Sequence, residues 1–235
     1  MTAQEIVSQL EALGSEGYRR ILRNHGLDQP MFGVKVEELK KFQKAIKKDY
    51  QLALDLYDTG IYDAQYLAGL IADENQMTKD DLRGWLAKAE SNAPAEFAVA
   101  WVAAEGPHGW ELGLDWIDSD RERTAMAGWA TLSSWVAVKP DSALDVAALR
   151  RLLERVASSI HEAPNMVRYH MNGFVIAVGC YVAALTDEAL RVGEEIGAVQ
   201  VEMGKTACKV PSAPDYIRKV VSMGRVGKKR RMARC

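Results

Sequence analysis

The chain has few of the residues that build cross-linked or metal-bound scaffolds. Its 235 residues include four histidines and three cysteines, Cys180, Cys208 and Cys235. The cysteines are scattered and odd in number, which is typical of free thiols in a reducing compartment and argues against a disulfide framework. The histidines show no ligand spacing with the cysteines or with one another, and no glycine-rich phosphate loop is present. We therefore expect neither a metal nor a cofactor.

Proline and long apolar runs are also scarce. The chain contains seven prolines, and no Ser/Gly-rich linker separates two halves. No apolar stretch approaches the ~18 residues of a membrane span, and the amino terminus lacks the pattern of a signal peptide. With 48% hydrophobic and 26% charged residues the composition is that of an ordinary globular protein. The sequence predicts a cytoplasmic monomer with no membrane partner, associated with the nucleoid if the source is bacterial.

Apolar residues recur at helical spacing nearly throughout the chain. They do so between Val36 and Ile46, and Thr78 with Asp81 resembles a capping box. Only 199–203 alternates like a strand, and that run is weak. Helices of 10–20 residues joined by short loops predict an all-α solenoid.

Two acidic residues are expected to open helices of their own. Asp63 is predicted to start one helix, and Asp120 a long helix that ends at Val138 before Pro140. Thr186 is likewise predicted to cap a helix. These signals set the expected boundaries of the helical layout.

Two segments share one pattern 45 residues apart. Arg123-Thr-Ala-Met-Ala-Gly-Trp129 reappears as Arg168-Tyr-His-Met-Asn-Gly-Phe174. Self-similarity at about 40–47 residues is the length of one HEAT or armadillo unit. The pattern predicts a curved α-solenoid of HEAT-like, armadillo-type helical repeats, whose surface usually binds something long.

A helical wheel separates the repeated positions into two sides. Gly128 and Gly173 lie roughly opposite Arg123 and Arg168. A glycine inside a helix costs about 0.5–1 kcal/mol relative to alanine, so we expect both glycines to face a closely packed helix. The arginines are then expected to face a groove. The alternative for the remaining positions is that they are simply core: Met126, Trp129, Met171 and Phe174.

Basic residues are concentrated at the carboxyl terminus. Residues 218–235 hold eight of the 30 bases and no acid, so residues 1–217 carry 22 bases against 32 acids, a net charge of −10. We expect a single helical domain over 1–217 and a basic tail over 218–235. Such a tail is typical of an arm for a polyanion, and the alternative is a solvated, disordered terminus.

The segment Trp116-Ile-Asp-Ser-Asp-Arg-Glu-Arg-Thr-Ala125 resembles the W-x-x-S-D…R-T-A segment of the AlkD-like DNA alkylation repair family. Residues 168–174 resemble a later helix of that family, and residues 206–217 are similar to a segment of proteins of this kind. The resemblance implies a curved solenoid of HEAT-like repeats that holds double-stranded, alkylated or otherwise damaged DNA in a basic concave groove. It also implies a glycosylase that releases cationic N3- and N7-alkylated purines without flipping the base.

Carried onto this sequence, the resemblance assigns an acid and an aromatic wall. Phe174 stands where the family has a catalytic Trp, a departure that keeps a π-face. For the family's Trp-x-x-x-Asp element two alignments compete. One places the Asp on Ala100 and removes the carboxylate, whereas the other uses Trp101 and Glu105, four residues apart on one helix face. In the second alignment Glu105 stabilises positive charge that develops on the sugar, and Trp101 and Phe174 face the lesion.

The remaining assigned residues are expected to contact DNA. Three hypotheses stay open: a glycosylase for alkylpurines, a non-catalytic binder of damaged or branched DNA, and a helical scaffold for a protein partner, the last because the body is acidic. The expected DNA-binding residues are Arg123, Trp129, Arg168, Lys228, Lys229, Arg230 and Arg231.

Overall fold

A computed structural model describes residues 1–234, and Cys235 lies outside the described residues. Within 1–234 the chain forms helices and loops and no strand, so residues 199–203 are not a strand. The chain divides into two compact units. The first comprises Met1–His108 with Met203–Ala207 and Arg234, and the second comprises Gly109–Glu202 with Cys208–Ala233. The predicted division into a helical domain over 1–217 and a basic tail over 218–235 stays a prediction.

The first unit is built around one fully buried helix. Every residue of the fifth helix, Tyr62–Ile71, is buried, so this helix forms the centre of the unit's core. Four of the other helices begin at a capping side chain, Thr2, Ser15, Asp49 or Thr78, and the predicted capping box of Thr78 and Asp81 is confirmed. The helices are α1 Ala3–Leu13, α2 Glu16–Asn24, α3 Val36–Ile46, α4 Tyr50–Tyr57, α5 Tyr62–Ile71, α6 Lys79–Lys88, α7 Asn92–Pro94, a π-helical turn Ala95–Val99, and α8 Ala100–Glu105.

Asp63 does not start a helix as predicted. Helix α5 begins at Tyr62, and the Asp63 carboxylate is fully buried. It accepts hydrogen bonds from the backbone N–H groups of Phe32 at 2.6 Å and Val34 at 2.7 Å. The carboxylate therefore satisfies a distant loop instead of its own helix, a pairing that local sequence does not reveal.

The second unit centres on its two longest helices. Helix α10 packs against both α9 and α12, and α12 also contacts α13 and α14. The helices are α9 Gly109–Ile117, α10 Glu122–Val138, a 3₁₀ turn Asp141–Ala143, α11 Val146–Ser159, α12 Asn165–Tyr181, a 3₁₀ turn Ala183–Leu185, α13 Thr186–Ile196, and α14 Ala213–Ser222.

Two predicted helix starts in this unit are wrong in detail. Helix α10 begins at Glu122 after Arg121, so Asp120 lies outside it. Thr186 is the first residue of α13 and its hydroxyl donates to the Gly179 carbonyl at 3.0 Å, so the side chain ties α13 to α12 instead of capping. At Thr186 a contact with another helix, which local sequence does not reveal, engages the side chain.

The two repeated glycines lie in different surroundings. A Cβ atom placed on Gly128 would come 2.6 Å from the backbone nitrogen of Ile117, so Gly128 faces a closely packed helix as predicted. A Cβ atom on Gly173 would meet nothing within 4 Å, so the same prediction is wrong there. Helix α9 approaches α10 at Gly128, and no backbone of residues 1–234 approaches α12 in that way at Gly173.

No single helix within 1–234 is long and apolar enough to cross a membrane. One pair of consecutive segments, Asn165–Tyr181 and Ala183–Ile196, has the length and apolar composition of a membrane span when taken together. The two segments are bent by 116° relative to each other.

Candidate nucleic-acid interface

The two repeated arginines occupy neighbouring helices of the second unit. Arg123 lies near the start of α10 and Arg168 near the start of α12, and both are half-buried. The Arg168 side chain forms no hydrogen bond or ion pair within residues 1–234, and its Nε atom is buried without a partner. A guanidinium left in this state is a strong donor for an anion such as a DNA phosphate.

The aromatic residues of the repeat are core. Trp129 is 1% exposed and Phe174 is 0% exposed. Their ring centroids are 5.2 Å apart in an edge-to-face arrangement that stabilises the contact between α10 and α12. In this conformation Phe174 presents no surface to a lesion, which agrees with the alternative that these positions are packing residues.

A depression of about 230 Å³ beside Trp129 brings charges of both signs together. Arg155, which the sequence reasoning missed, donates to the Asp118 carboxylate at 2.6 Å and lies 5.8 Å from the Trp129 ring centroid. Sequence signals were weak, because Arg155 is one of several charged residues on the amphipathic helix α11. Further acids that line the depression are Asp120, Glu122 and Glu162.

The predicted catalytic residues of the first unit are internal. Trp101 is 7% exposed and lies against the rings of Tyr66 and Phe97, with centroids 5.6 Å and 5.3 Å away. The Glu105 carboxylate lies 2.8 Å from Nη2 of Arg234, and only 13% of the Glu105 side chain is exposed. Trp101 and Glu105 lie in the same short helix, and both side chains contact other groups of the first unit.

Arg234 pairs with two carboxylates inside the first unit, those of Glu105 and Glu74. Its side chain is 4% exposed, and the guanidinium also pairs with Glu74 at 2.7 Å. It donates to the carbonyls of Leu70 and Ala72, both at 3.0 Å. Burial opposes ionisation of Glu74, but the hydrogen bond from Lys48 and the charge of Arg234 lower its pKa overall.

Glu96 is a second unusual carboxylate of the first unit that the sequence reasoning missed. It lies in the π-helical turn Ala95–Val99, next to Phe97. Burial raises the pKa of Glu96 to about 7. The signal in the sequence is an acid inside an otherwise apolar stretch between Pro94 and Trp101. π-helical turns are often found at functional sites, and a carboxyl group with this pKa can exchange a proton near neutral pH.

The predicted tail residues differ in accessibility. Lys228, Arg230 and Arg231 are exposed, and their side chains form no hydrogen bond or ion pair within residues 1–234. Lys229 is half-buried, and its Nζ atom donates to the carbonyls of Val136 at 2.9 Å and Tyr181 at 2.7 Å. The tail is therefore held against the second unit, and three of its four predicted DNA contacts are available to a ligand.

No group of three or more His, Cys, Asp or Glu side chains that could hold a metal ion occurs in the part of the chain that the structure describes.

Comparison with known proteins places these features in a family. The sequence profile described as "DNA alkylation repair enzyme" matches residues 6–212. Two proteins, Lin0241 of Listeria innocua and Lmo0209 of Listeria monocytogenes, are each 30% identical over 224 residues, which cover 93% of this chain and 97% of theirs. A solved structure from "a new family of proteins related to the HEAT-like repeat DNA glycosylases with affinity for branched DNA structures" aligns over 100% of both chains, with 31% identity and a TM-score of 0.92. The chain belongs to the DNA alkylation repair family, with an all-helical fold that matches the HEAT-like repeat proteins.

Proposed function

We propose that this protein binds branched DNA and does not excise alkylated bases. Membership of the DNA alkylation repair family supports a role in binding DNA. The solved relative of the same fold comes from a family with affinity for branched DNA structures, which supports the choice of branched DNA as the ligand.

We propose the absence of base excision because the Glu105 carboxylate, the acid predicted for catalysis, is paired inside the protein. Glycosidic cleavage needs a carboxylate aimed at the positive charge that develops on the sugar. The Glu105 carboxylate is instead 2.8 Å from the buried Arg234, which already neutralises it. Phe174, at the position of the family's catalytic Trp, has no exposed surface. An acid and an aromatic wall are therefore both directed into the protein.

A paired binding and excision assay tests the proposal. The full chain is titrated into a labelled four-way junction and a linear duplex of the same sequence at low salt, and binding is followed by anisotropy. We expect tighter binding to the junction. In parallel we expect alkylated duplex to release no 7-methylguanine or 3-methyladenine above the rate without protein, under conditions in which a known glycosylase releases both.

Each half of the proposal has its own contradicting result. Release of alkylpurines would establish the glycosylase hypothesis in its place. Equal affinity for junction and duplex would leave a general duplex-binding protein, and no binding to either at low salt would favour the protein scaffold.

Arg168 offers a single-residue test of the expected contact with DNA. Arg168→Ala should weaken junction binding by about three- to tenfold and reduce the slope of log affinity against log salt by about one, since one phosphate contact is lost. The matched control is Arg191→Ala, which removes the same charge from an exposed arginine already paired with Glu195. Equal effects of the two variants would show that Arg168 contributes only net charge.

A further inference from the structure

The second unit carries a basic depression that lies outside the repeated motifs. It has a volume of about 330 Å³ and lies between α12, α14 and the segment that follows α14. We call this surface the basic face. It is lined by Cys180, Tyr181, Tyr216, Lys219, Val220, Met223, Arg225, Lys228, Lys229 and Arg230.

Most cations of the basic face form no ion pair within residues 1–234. Five of the ten lining residues are Lys or Arg and none is acidic. Four of these five side chains are exposed and form no hydrogen bond or ion pair within residues 1–234: Lys219, Arg225, Lys228 and Arg230. Like charges gathered without counter-ions repel one another, and a polyanion would remove that repulsion.

The basic face has a fixed frame although four of its five cations form no ion pair within residues 1–234. The fifth cation, Lys229, is the anchor, because it donates to the carbonyls of Val136 and Tyr181 and pairs with Asp141 at 2.9 Å. The backbone N–H of Arg230 donates to the Ala137 carbonyl at 2.8 Å. The exposed side chains therefore project from a backbone that is tied to helices α10 and α12, so ordering them costs less than ordering a free tail.

An aromatic ring lies among these cations. Tyr216, on α14, is 50% exposed, so its ring is accessible to a ligand. The ring lines the same depression as Lys219 and Arg225. Cations that follow a phosphate backbone, combined with an accessible ring on which a base can stack, are the features of surfaces that bind single-stranded nucleic acid.

We propose that the basic face binds the unpaired strand of a branched DNA. The phosphates contact Lys219, Arg225, Lys228 and Arg230, and a base stacks on Tyr216. An intact duplex offers phosphates to the cations, but its bases are stacked on one another and present no face to Tyr216. This inference rests on the proposed function and adds the part of the branch that this surface recognises.

A triple substitution tests the cations. The probes are a labelled oligothymidylate single strand of about 20 nucleotides, a fork with two unpaired arms, and a blunt duplex of the same paired sequence. Lys219→Ala/Arg225→Ala/Lys228→Ala should weaken binding to the single strand and the fork by about tenfold or more and lower the salt slope by about two. Binding to the blunt duplex should weaken by a smaller factor, because its phosphates meet the same cations but no base of the duplex is also held on Tyr216.

The matched control removes three exposed cations from the first unit that likewise form no ion pair within residues 1–234. Arg20→Ala/Lys40→Ala/Lys44→Ala changes the net charge by the same amount and should change all three affinities by less than about threefold. The thermal midpoints of both triple variants should match that of the unaltered protein, because all six side chains are exposed.

Two substitutions of Tyr216 distinguish the contribution of base stacking from that of charge. Tyr216→Ala should weaken single-strand and fork binding by about tenfold with an unchanged salt slope, and Tyr216→Phe should retain binding because the ring is kept. If Tyr216→Ala binds the single strand as tightly as the unaltered protein does, the face contacts phosphates alone and the assignment to an unpaired strand is overturned.

The outcomes distinguish this inference from the proposed function. If the unaltered protein prefers branched DNA and the two triple variants lose affinity equally, the inference is overturned and the proposed function stands. If the basic-face variant alone loses single-strand binding but the unaltered protein shows no preference for branches, the surface stands and the proposed function fails. Absence of binding to every probe at low salt overturns both.

Discussion

Arg230 and Arg234 are four residues apart, yet they belong to regions that use charge in opposite ways. Arg230 is exposed on the basic face of the second unit, and its side chain forms no ion pair within residues 1–234. Arg234 is 4% exposed in the first unit, where it binds the carboxylates of Glu74 and Glu105. The first arginine is available to a ligand, whereas the second neutralises acids of its own protein.

Net charge is a poor guide to the function of this chain, because its charged residues differ in whether they are paired. Residues 1–217 carry a formal charge of −10, which by itself favours a protein partner over DNA. Part of the acidic charge is neutralised within the structure, whereas four of the five cations of the basic face form no ion pair within residues 1–234. DNA responds to the local arrangement of cations that it can reach, so the location of each charge matters more than the sum.

The largest expected effect comes from removing the internal arginine. Arg234→Met should lower the free energy of unfolding by about 3–5 kcal/mol, because it leaves the Glu74 and Glu105 carboxylates buried without their cation. Arg230→Met is the control and should change it by less than about 0.5 kcal/mol, since an exposed substitution removes no such contact. Urea unfolding followed by circular dichroism measures both.

Equal stability of the two variants would show that the Arg234 pairs contribute little. Adding Glu74→Gln and Glu105→Gln to the Arg234→Met variant should recover part of the loss, because the uncompensated charges are then absent.

A second test concerns two acids of the first unit that differ in what governs their pKa. Nearby cations hold the Glu74 pKa low, whereas burial raises the pKa of Glu96 to about 7 from 4.5. A raised folded-state pKa means that the contribution of Glu96 to stability is fully present below pH 4.5 and is lost as the pH rises through 7, by about 1.4 kcal/mol for each unit of difference. Glu96→Gln should remove this loss, so its stability advantage over the unaltered protein should grow by up to about 3 kcal/mol across that window.

Chemical unfolding at a series of pH values measures this difference, and parallel stability curves for the two proteins would contradict it. His170 adds a second pH dependence of the opposite sign. Burial lowers the pKa of His170 to about 4, so its contribution to stability is lost as the pH falls from 6.5. That contribution is the same in both proteins and cancels in the comparison.

The smallest expected effects concern the two glycines of the repeated motif, Gly128 in a crowded position and Gly173 in an open one. Gly128→Ala should lower the free energy of unfolding by about 1–3 kcal/mol, because the new Cβ atom would lie 2.6 Å from the Ile117 backbone nitrogen. Gly173→Ala should raise it by about 0.5–1 kcal/mol, because alanine favours the helix and nothing lies within 4 Å of the added atom. Thermal unfolding of the two variants measures both signs, and destabilisation by Gly173→Ala would show that the position is not open.

Much of the helical layout could be predicted because its causes are local. Asp49 accepts a hydrogen bond from the backbone N–H of Leu52, three residues away, as a capping residue does. Thr78 and Asp81 do the same for α6. The repeat at 45 residues and the segment 116–125 likewise indicated the repeat architecture and the family before any contact was known.

The site was less predictable because its residues depend on distant groups. Glu105 and Arg234 are 129 residues apart in the chain, and no pattern connects them. The resemblance predicts a functional aromatic at Phe174, but that ring packs against Trp129 of a neighbouring helix, a contact that the spacing does not reveal. Spacing on one helix shows which side chains share a face, not which face another helix covers.

Local patterns are enough to predict most of the helices, the HEAT-like fold class, and a concentration of basic residues at the carboxyl terminus. Which of those bases are used internally and which remain available follows from the folded arrangement, because pairing and exposure depend on groups remote in sequence. Arg234 reaches buried carboxylates of the first unit, and Lys229 reaches carbonyls of the second. Four neighbouring cations of the basic face reach no partner within residues 1–234, and this physical difference makes that face the surface to test with DNA.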